Sequence, residues 1–181
     1  VGTIGQLAGE LGAPERTVRR AVATGSIRSR RLSQRRLRLA EGELAYLRRN
    51  WGLLTELRGA LRTEQHVRVA ILAGSMARGD GHGLSDIDLV VGLDSDQALD
   101  RLKLAMRLRE KLGREVDVAN LEQVLDDPLS LLQVLDEGRV IVDRVDLWQE
   151  LNGRRAAIRK HAARSYRQQQ ERLATALASQ R

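Results

Sequence analysis

The chain has 181 residues and a formal net charge of +7, with hydrophobic residues at 42% and charged residues at 30%. That length suits one ordinary domain or two small ones, and the balance is that of a folded chain, which excludes wholesale disorder. Cysteine is absent, which excludes a disulfide framework and a thiolate zinc site; Phe is absent too, so any core must be built from Leu, Val, Ile and Ala.

No apolar run approaches the roughly 20 residues of a membrane span, and no signal-peptide pattern opens the sequence; the expectation is a cytoplasmic protein without a membrane partner. Charge is unevenly placed. Residues 1–50 hold 11 Arg and 4 Glu, residues 51–145 hold 12 basic and 17 acidic residues, and residues 146–181 hold 8 basic and 3 acidic residues. A basic head, an acidic middle and a basic tail suggest separate jobs, with the basic segments favouring polyanions.

In the head, Ile4, Leu7, Ala8 and Leu11 follow the spacing of a helix with one buried stripe. Gly12-Ala13-Pro14 breaks it, and Pro14 suits the start of a second helix. There Val18, Ala21 and Val22 face inward, leaving Glu15, Arg16, Thr17, Arg19 and Arg20 outside, and Gly25 is placed as a C-terminal cap. The stretch "SIRSRRLSQRRLRL" then reads as a two-stranded hairpin turning at Ser33-Gln34 and crowded with Arg28, Arg30, Arg31, Arg35, Arg36 and Arg38. A short helix with basic outer residues fits a major groove, and an arginine-studded hairpin reaches phosphates or the minor groove. A helical cap that contacts protein is the alternative.

This head resembles the winged helix-turn-helix of the MerR and excisionase-like DNA-binding families over about its first 50 residues. The expected DNA contacts are Arg16, Thr17, Arg19, Arg20, Arg28, Arg30, Arg31, Arg35 and Arg36. A connecting helix follows, with Leu44, Leu47, Trp51, Leu54, Leu57 and Leu61 recurring at helical steps. Gly52 and Gly59 each cost about 1 kcal/mol relative to Ala in a helix, so a bend or split near Gly52 is expected. Such a stripe serves a core or a dimer.

"HVRVAILAG" reads as a strand ended by Gly74-Ser75, followed by a helical or turn segment carrying Arg78, a "GDGHG" loop, and a second strand, "SDIDLVVGL". Alternation along that strand puts Asp86 and Asp88 on one face and Ile87, Leu89 and Val91 on the other. Two carboxylates so close repel each other unless a cation offsets them. Mg²⁺ takes hard oxygen ligands and commonly uses one or two carboxylates plus phosphate oxygens. Glycine in the neighbouring turn permits close backbone approach to phosphates, with the Ser hydroxyl and backbone N–H groups as donors. Other phosphate motifs are missing: there is no G-x-x-x-x-G-K-[ST], and Gly79, Gly81 and Gly83 do not form G-x-G-x-x-G after a strand. His66, His82 and His161 are too scattered for a zinc cluster, and His82 reads as an exposed loop residue.

Gly74-Ser75 followed by Ser85-Asp86-Ile87-Asp88-Leu89 resembles the DNA polymerase β-like nucleotidyltransferase superfamily, and the G-S-x-A-R-G form of Gly74 to Gly79 resembles its minimal nucleotidyltransferase group. The likeness spans roughly residues 52–145, with "VLDEGRVIVDR" as the closing segment. It implies an α/β (α+β) fold with a small mixed sheet and helices, preceded by the winged helix-turn-helix and followed by a C-terminal helix. The domains expected are 1–50, 51–145 and 146–181. The resemblance further implies a third carboxylate, matched by Asp117 with Glu115 as competitor. Asp86, Asp88 and Asp117 would be catalytic and hold Mg²⁺ or Mn²⁺. Gly74 and Ser75 would cradle the NTP phosphates, with Arg78 and Ser85 as further contacts; Arg78 equally suits an ion pair with Asp80, and Ser85 the end of the loop.

The tail reads as one or two helices broken near Asn152-Gly153, with Leu147, Trp148 and Leu151 packed on the preceding domain and a thin stripe of Ala162, Tyr166, Leu173 and Leu177. The expected function is transfer of an NMP from an NTP to a protein or nucleic-acid acceptor by an enzyme tethered to a DNA-binding module. The family adds a toxin as a possible partner, and a homodimer is also open. The alternative is a DNA-binding regulator whose nucleotidyltransferase-like domain only senses nucleotide or binds a partner.

Overall fold

The computed structural model describes residues 2–33, 36–40, 42–82, 85–95 and 97–178; of the positions singled out above, Gln34, Arg35 and Gly83 lie outside the described residues. Strand β1 (Gly2–Thr3) runs into helix α1 (Ile4–Glu10). Thr3 caps α1 reciprocally: its hydroxyl accepts from the Gln6 N–H, and the Gln6 side chain accepts from the Thr3 N–H. Helix α2 (Glu15–Thr24) starts after Pro14 and stops at Gly25, which is left-handed at φ 88°. Strands β2 (Ser29–Arg31) and β3 (Arg36–Leu39) pair antiparallel, and β1 adds to the far side of β3. That third strand was not anticipated, because two residues carry no alternation to read.

Helix α3 (Glu43–Arg62) is one continuous helix, so the expected break at Gly52 does not occur. Burial explains why. Leu47, Leu54, Leu57 and Leu61 are each 0% exposed. Each such side chain contributes about 1.5–3 kcal/mol, against about 1 kcal/mol lost at each glycine.

A four-stranded sheet follows, in the order β6-β5-β4-β7. Strand β4 (Val67–Leu72) lies antiparallel to both β5 (Ile87–Leu93) and β7 (Arg139–Asp143), while β5 runs parallel to β6 (Val116–Asn120). Helix α5 (Ala98–Leu112) makes the crossover that a parallel pair requires. A five-residue helix, α4 (Gly74–Arg78), stands between β4 and β5. Helices α6 (Leu121–Asp126) and α7 (Pro128–Glu137) precede β7, and α8 (Leu147–Gly153) and α9 (Arg155–Ala178) complete the chain.

Alternation along the strands sends residues to two cores. Ala70, Leu72, Ile87, Leu89 and Val91 join α3, α5 and the head residues Ile4, Leu7, Val18 and Ala21 in one apolar cluster. Val69, Ile71, Val90 and Val140 face the other way, toward Leu121 and Val134. Head and sheet thus share a core through α3. The tail breaks after Gly153 as expected, and Leu147, Trp148 and Leu151 pack beside Leu131 and Leu135. Beyond Ala162 the apolar stripe is not packed: Tyr166, Leu173 and Leu177 are exposed. Among the described residues no helix is long and apolar enough to cross a membrane.

Candidate active site

Strand β4 ends at Leu72, and the Ala73 N–H donates to the Asp88 carbonyl at 2.8 Å, which fixes the following turn against β5. Gly74 then takes φ +63°, a left-handed conformation that costs other residues roughly 1–2 kcal/mol. Space makes the same demand. A Cβ on Gly74 would sit 2.9 Å from the Asp88 Cγ and inside its carboxylate. The backbone that opens α4 and the Asp88 side chain are therefore packed against each other. Ala73 offers α4 no side-chain cap, so the first N–H groups of that turn remain available as donors.

Asp88 on β5 and Asp117 on β6 are direct partners in the parallel register, so their side chains project from the same face of the sheet. Asp86 precedes β5 and is exposed, while Asp88 is half-buried. Burial pushes the Asp88 carboxyl above the usual carboxylate range, and the negative charges of Asp117 and Asp86 push it further; Arg78 opposes weakly. Asp86 and Asp117, expected from sequence, thus both act electrostatically on Asp88. Among the described residues, however, no three acidic or imidazole groups already form a closed ion-binding cluster. The donor chemistry nonetheless fits a divalent cation: hard carboxylate oxygens on neighbouring strands, one of them destabilised by its own charge. Glu115 sits differently. It forms an ion pair with Arg109, and its carbonyl accepts from the Ile87 N–H.

Arg78 and Ser85 have partners within the chain. The Arg78 Nε donates to Asp80 at 3.1 Å and Nη1 to Glu137 at 3.2 Å, which is the ion-pair alternative. The Ser85 hydroxyl accepts from the His82 N–H at 2.9 Å and so closes the loop. The loop is pinned from outside by Arg114, which donates to the Ser85 carbonyl and lies 3.6 Å from the Met76 sulfur.

Residues that drew no attention in the sequence hold α4 in place. Arg139, only 1% exposed, donates Nε to the Ala77 carbonyl at 2.8 Å and forms a bidentate pair with Glu43 at 2.6 and 2.9 Å. Its guanidinium stacks 3.3 Å from the centre of the Tyr46 ring, and the Tyr46 hydroxyl donates to the Met76 carbonyl at 3.0 Å. The last turn of α4 is therefore gripped from α3 and β7. The signal available was slight: one arginine opening the apolar run "RVIVD", and one of only two tyrosines in the chain.

Of the head residues expected to touch DNA, Arg16, Arg19, Arg20, Arg30 and Arg36 are exposed and Thr17 is half-buried. Arg31 belongs to β2, opposite Leu37, and Arg35 lies outside the described residues. Arg28 requires a correction. It does not stand on the hairpin surface: its Nη2 donates inward to the Ala77 carbonyl at 3.3 Å, and its backbone N–H donates to Glu43. Burial, then Arg139, lowers its pKa.

No curated protein sequence matches the chain. Among solved structures, a toxin–antitoxin with AMP-PNP shares 20% identity with it, covering 67% of this chain and 98% of that one at a TM-score of 0.54. An MntA–HepT toxin–antitoxin shares 17%, covering 67% and 96% at a TM-score of 0.50. At such identities the likeness is one of fold. The model of the family "Polymerase beta, Nucleotidyltransferase" matches residues 55–147, which is more than half of the chain and includes Gly74, both strands of acids and Arg139. The chain belongs to the polymerase beta nucleotidyltransferase family.

Proposed function

We propose that the protein transfers a nucleoside monophosphate from an NTP to a protein acceptor, using Asp86, Asp88 and Asp117 with Mg²⁺ or Mn²⁺. The observation that carries this reading is the pairing of Asp88 with Asp117 across β5 and β6, directly beside the glycine backbone that opens α4. Asp86, Asp88 and Asp117 would hold the divalent ions, whose positive charge would offset the clustered carboxylates and supply Lewis-acid chemistry to the phosphoryl group and the acceptor hydroxyl. Asp86 and Asp88 would hold one ion, and Asp117, on the edge strand, would complete a second site or take the acceptor proton. Gly74 and Ser75 would offer backbone N–H groups and a hydroxyl to phosphate oxygens, and the missing Cβ of Gly74 leaves room for the Asp88 carboxylate beside that turn. Glu43, Tyr46 and Arg139 hold that turn at its far end and serve as positioning residues.

Solved structures of like fold are toxin–antitoxins, one of them with AMP-PNP. That supports ATP as donor and a toxin as acceptor. The head and the transferase region would act as two units, residues 1–50 and 51–145, with 146–181 as an appended helical segment. The head would bind DNA through Arg16, Thr17, Arg19, Arg20, Arg30, Arg31, Arg35 and Arg36. Arg30 faces Arg38 across the hairpin, and like charges directly opposite are unfavourable unless a polyanion lies over them. The deciding experiment incubates the protein with labelled NTPs, Mg²⁺ or Mn²⁺ and candidate protein acceptors, alongside Asp86→Asn/Asp88→Asn. Label on the acceptor with wild type alone supports transfer; label with neither protein, while DNA binding persists, leaves a DNA-binding regulator.

A further inference from the structure

A cleft of about 620 Å³ opens between the head and the sheet, at the end of β4 remote from Gly74. Its walls are α2 and α3 and its floor is the end of β7. In the antiparallel register Asp143 of β7 lies opposite Val69, the third residue of β4, and Arg139 lies opposite Leu72, at its end. At ~3.3 Å per residue, Asp143 on that floor is therefore roughly 13 Å along the strand from the level of Asp88, one residue beyond Leu72. Neither the three aspartates nor Gly74 and Ser75 line it.

Five arginines do: Arg16 and Arg20 from α2, Arg58 and Arg62 from α3, and Arg144 after β7. Among the described residues none of the five has a carboxylate partner. Two are held in place by neutral groups. The Arg58 Nη2 donates to the Ser26 hydroxyl at 2.8 Å, and Arg144 donates to the carbonyls of Gln65, Glu64 and Leu61. Burial and the nearby charge of Arg20 lower the Arg58 pKa. Asp143 is the one acid in the lining, and its carboxylate is occupied by the N–H groups of Val145, Leu147 and Trp148. Between Arg58 and Arg62 stands Gly59, with nothing within 4 Å of where its Cβ would be. A helix-interior glycine costs about 1 kcal/mol relative to Ala, and this one keeps the cleft open.

We propose that this cleft is a second ligand site, which binds a linear oligophosphate: an inorganic one or the phosphate chain of a nucleotide. Guanidinium groups arrayed on two walls match successive phosphates by bidentate, charge-assisted hydrogen bonds. Shape favours a small anion over duplex DNA, because a duplex takes a protruding element into its groove, whereas here the arginines line a recess. The site shares no residue with the transferase centre, so it stands or falls independently of nucleotidyl transfer; it does share Arg16, Thr17 and Arg20 with the proposed DNA surface, and duplex DNA is therefore one arm of the test.

The test is calorimetry of the full chain in chelator, with inorganic tripolyphosphate and ATP in separate arms. Wild type is compared with Arg58→Ala/Arg62→Ala, with Gly59→Met, which fills the cleft while leaving every arginine in place, and with Arg164→Ala/Arg167→Ala on α9 as a charge control. Saturable binding of tripolyphosphate to wild type and control, weakened about tenfold or more in the other two, is the expected result. ATP affinity that exceeds that of tripolyphosphate and falls in both cleft variants would assign the site to nucleotides; equal affinities that fall together in those variants would assign it to the phosphate chain alone. The proposal is overturned if tripolyphosphate gives no saturable heat with wild type, or if both cleft variants bind it as wild type does. It is equally overturned if tripolyphosphate is silent while Arg58→Ala/Arg62→Ala weakens binding of duplex DNA, which makes the recess part of the DNA surface.

Discussion

Glu43 and Arg139 are 96 residues apart in sequence and form a bidentate pair at 3% and 1% side-chain exposure respectively. Replacing Glu43 by Ala leaves the Arg139 guanidinium buried with only neutral carbonyls, those of Ala77 and Ser26, to accept from it. Breaking a buried pair from one side costs about 3–5 kcal/mol. In a chain of this size about 1 kcal/mol shifts the melting temperature by roughly 2–4 °C. The expected loss is therefore on the order of 10 °C, read by circular dichroism and matched by urea titration. Arg139→Met removes the other partner, so a double-mutant cycle isolates the pair, and the double variant should be more stable than the sum of single losses by at least about 2 kcal/mol. The grip on α4 predicts a second effect: either single variant weakens nucleotide binding under conditions where it is still folded. A Glu43→Ala loss below about 1 kcal/mol, or additive single effects, would refute the account of this pair as the anchor of α4.

Three further outcomes follow from the same geometry. Because the Asp88 pKa is raised, its ionisation opposes folding: that stability is fully present below the ordinary Asp range and is lost as pH rises through the raised value. In chelator at neutral pH, Asp88→Asn should therefore melt a few degrees higher than wild type, with the gap closing in acid; a lower melting point at neutral pH refutes the charge-repulsion account. Gly74→Ala should lose label transfer and about 1–2 kcal/mol of stability, because it meets both a left-handed backbone and the Asp88 carboxylate; retained transfer in the labelled-NTP assay would show that this backbone approach is dispensable. Arg30→Ala/Arg38→Ala should weaken DNA binding, lower its log–log salt slope by about 2 and leave the fold no less stable; an unchanged slope in a salt titration removes the hairpin from the DNA surface.

Local periodicity carried much of the fold. The two head helices, the arginine hairpin, the strands flanking Gly74 and the break after Gly153 could be read from spacing and turn residues alone, since neighbours in sequence determine them. What escaped depended on distant partners. Gly52 looked like a hinge until the buried leucines of α3 were weighed against it. Arg28 looked like its exposed neighbours in the hairpin, but it turns toward Ala77, 49 residues away. Asp88 and Asp117 were legible as acids, yet only strand pairing shows that they stand side by side while Glu115 is taken by Arg109. The arginine cleft is drawn from three segments, each of which looks like ordinary solvated charge by itself.

The packing of Gly74 on Asp88 also bears on how such a site can decay. A chain that first exchanges the aspartate for a smaller residue gains room at position 74, and further drift there is opposed only by the left-handed backbone. Once a side chain has settled in that space, restoring the carboxylate alone recreates the collision, so recovery demands two coordinated changes. Loss by single steps and return only by paired ones make this contact a one-way gate in the protein's descent.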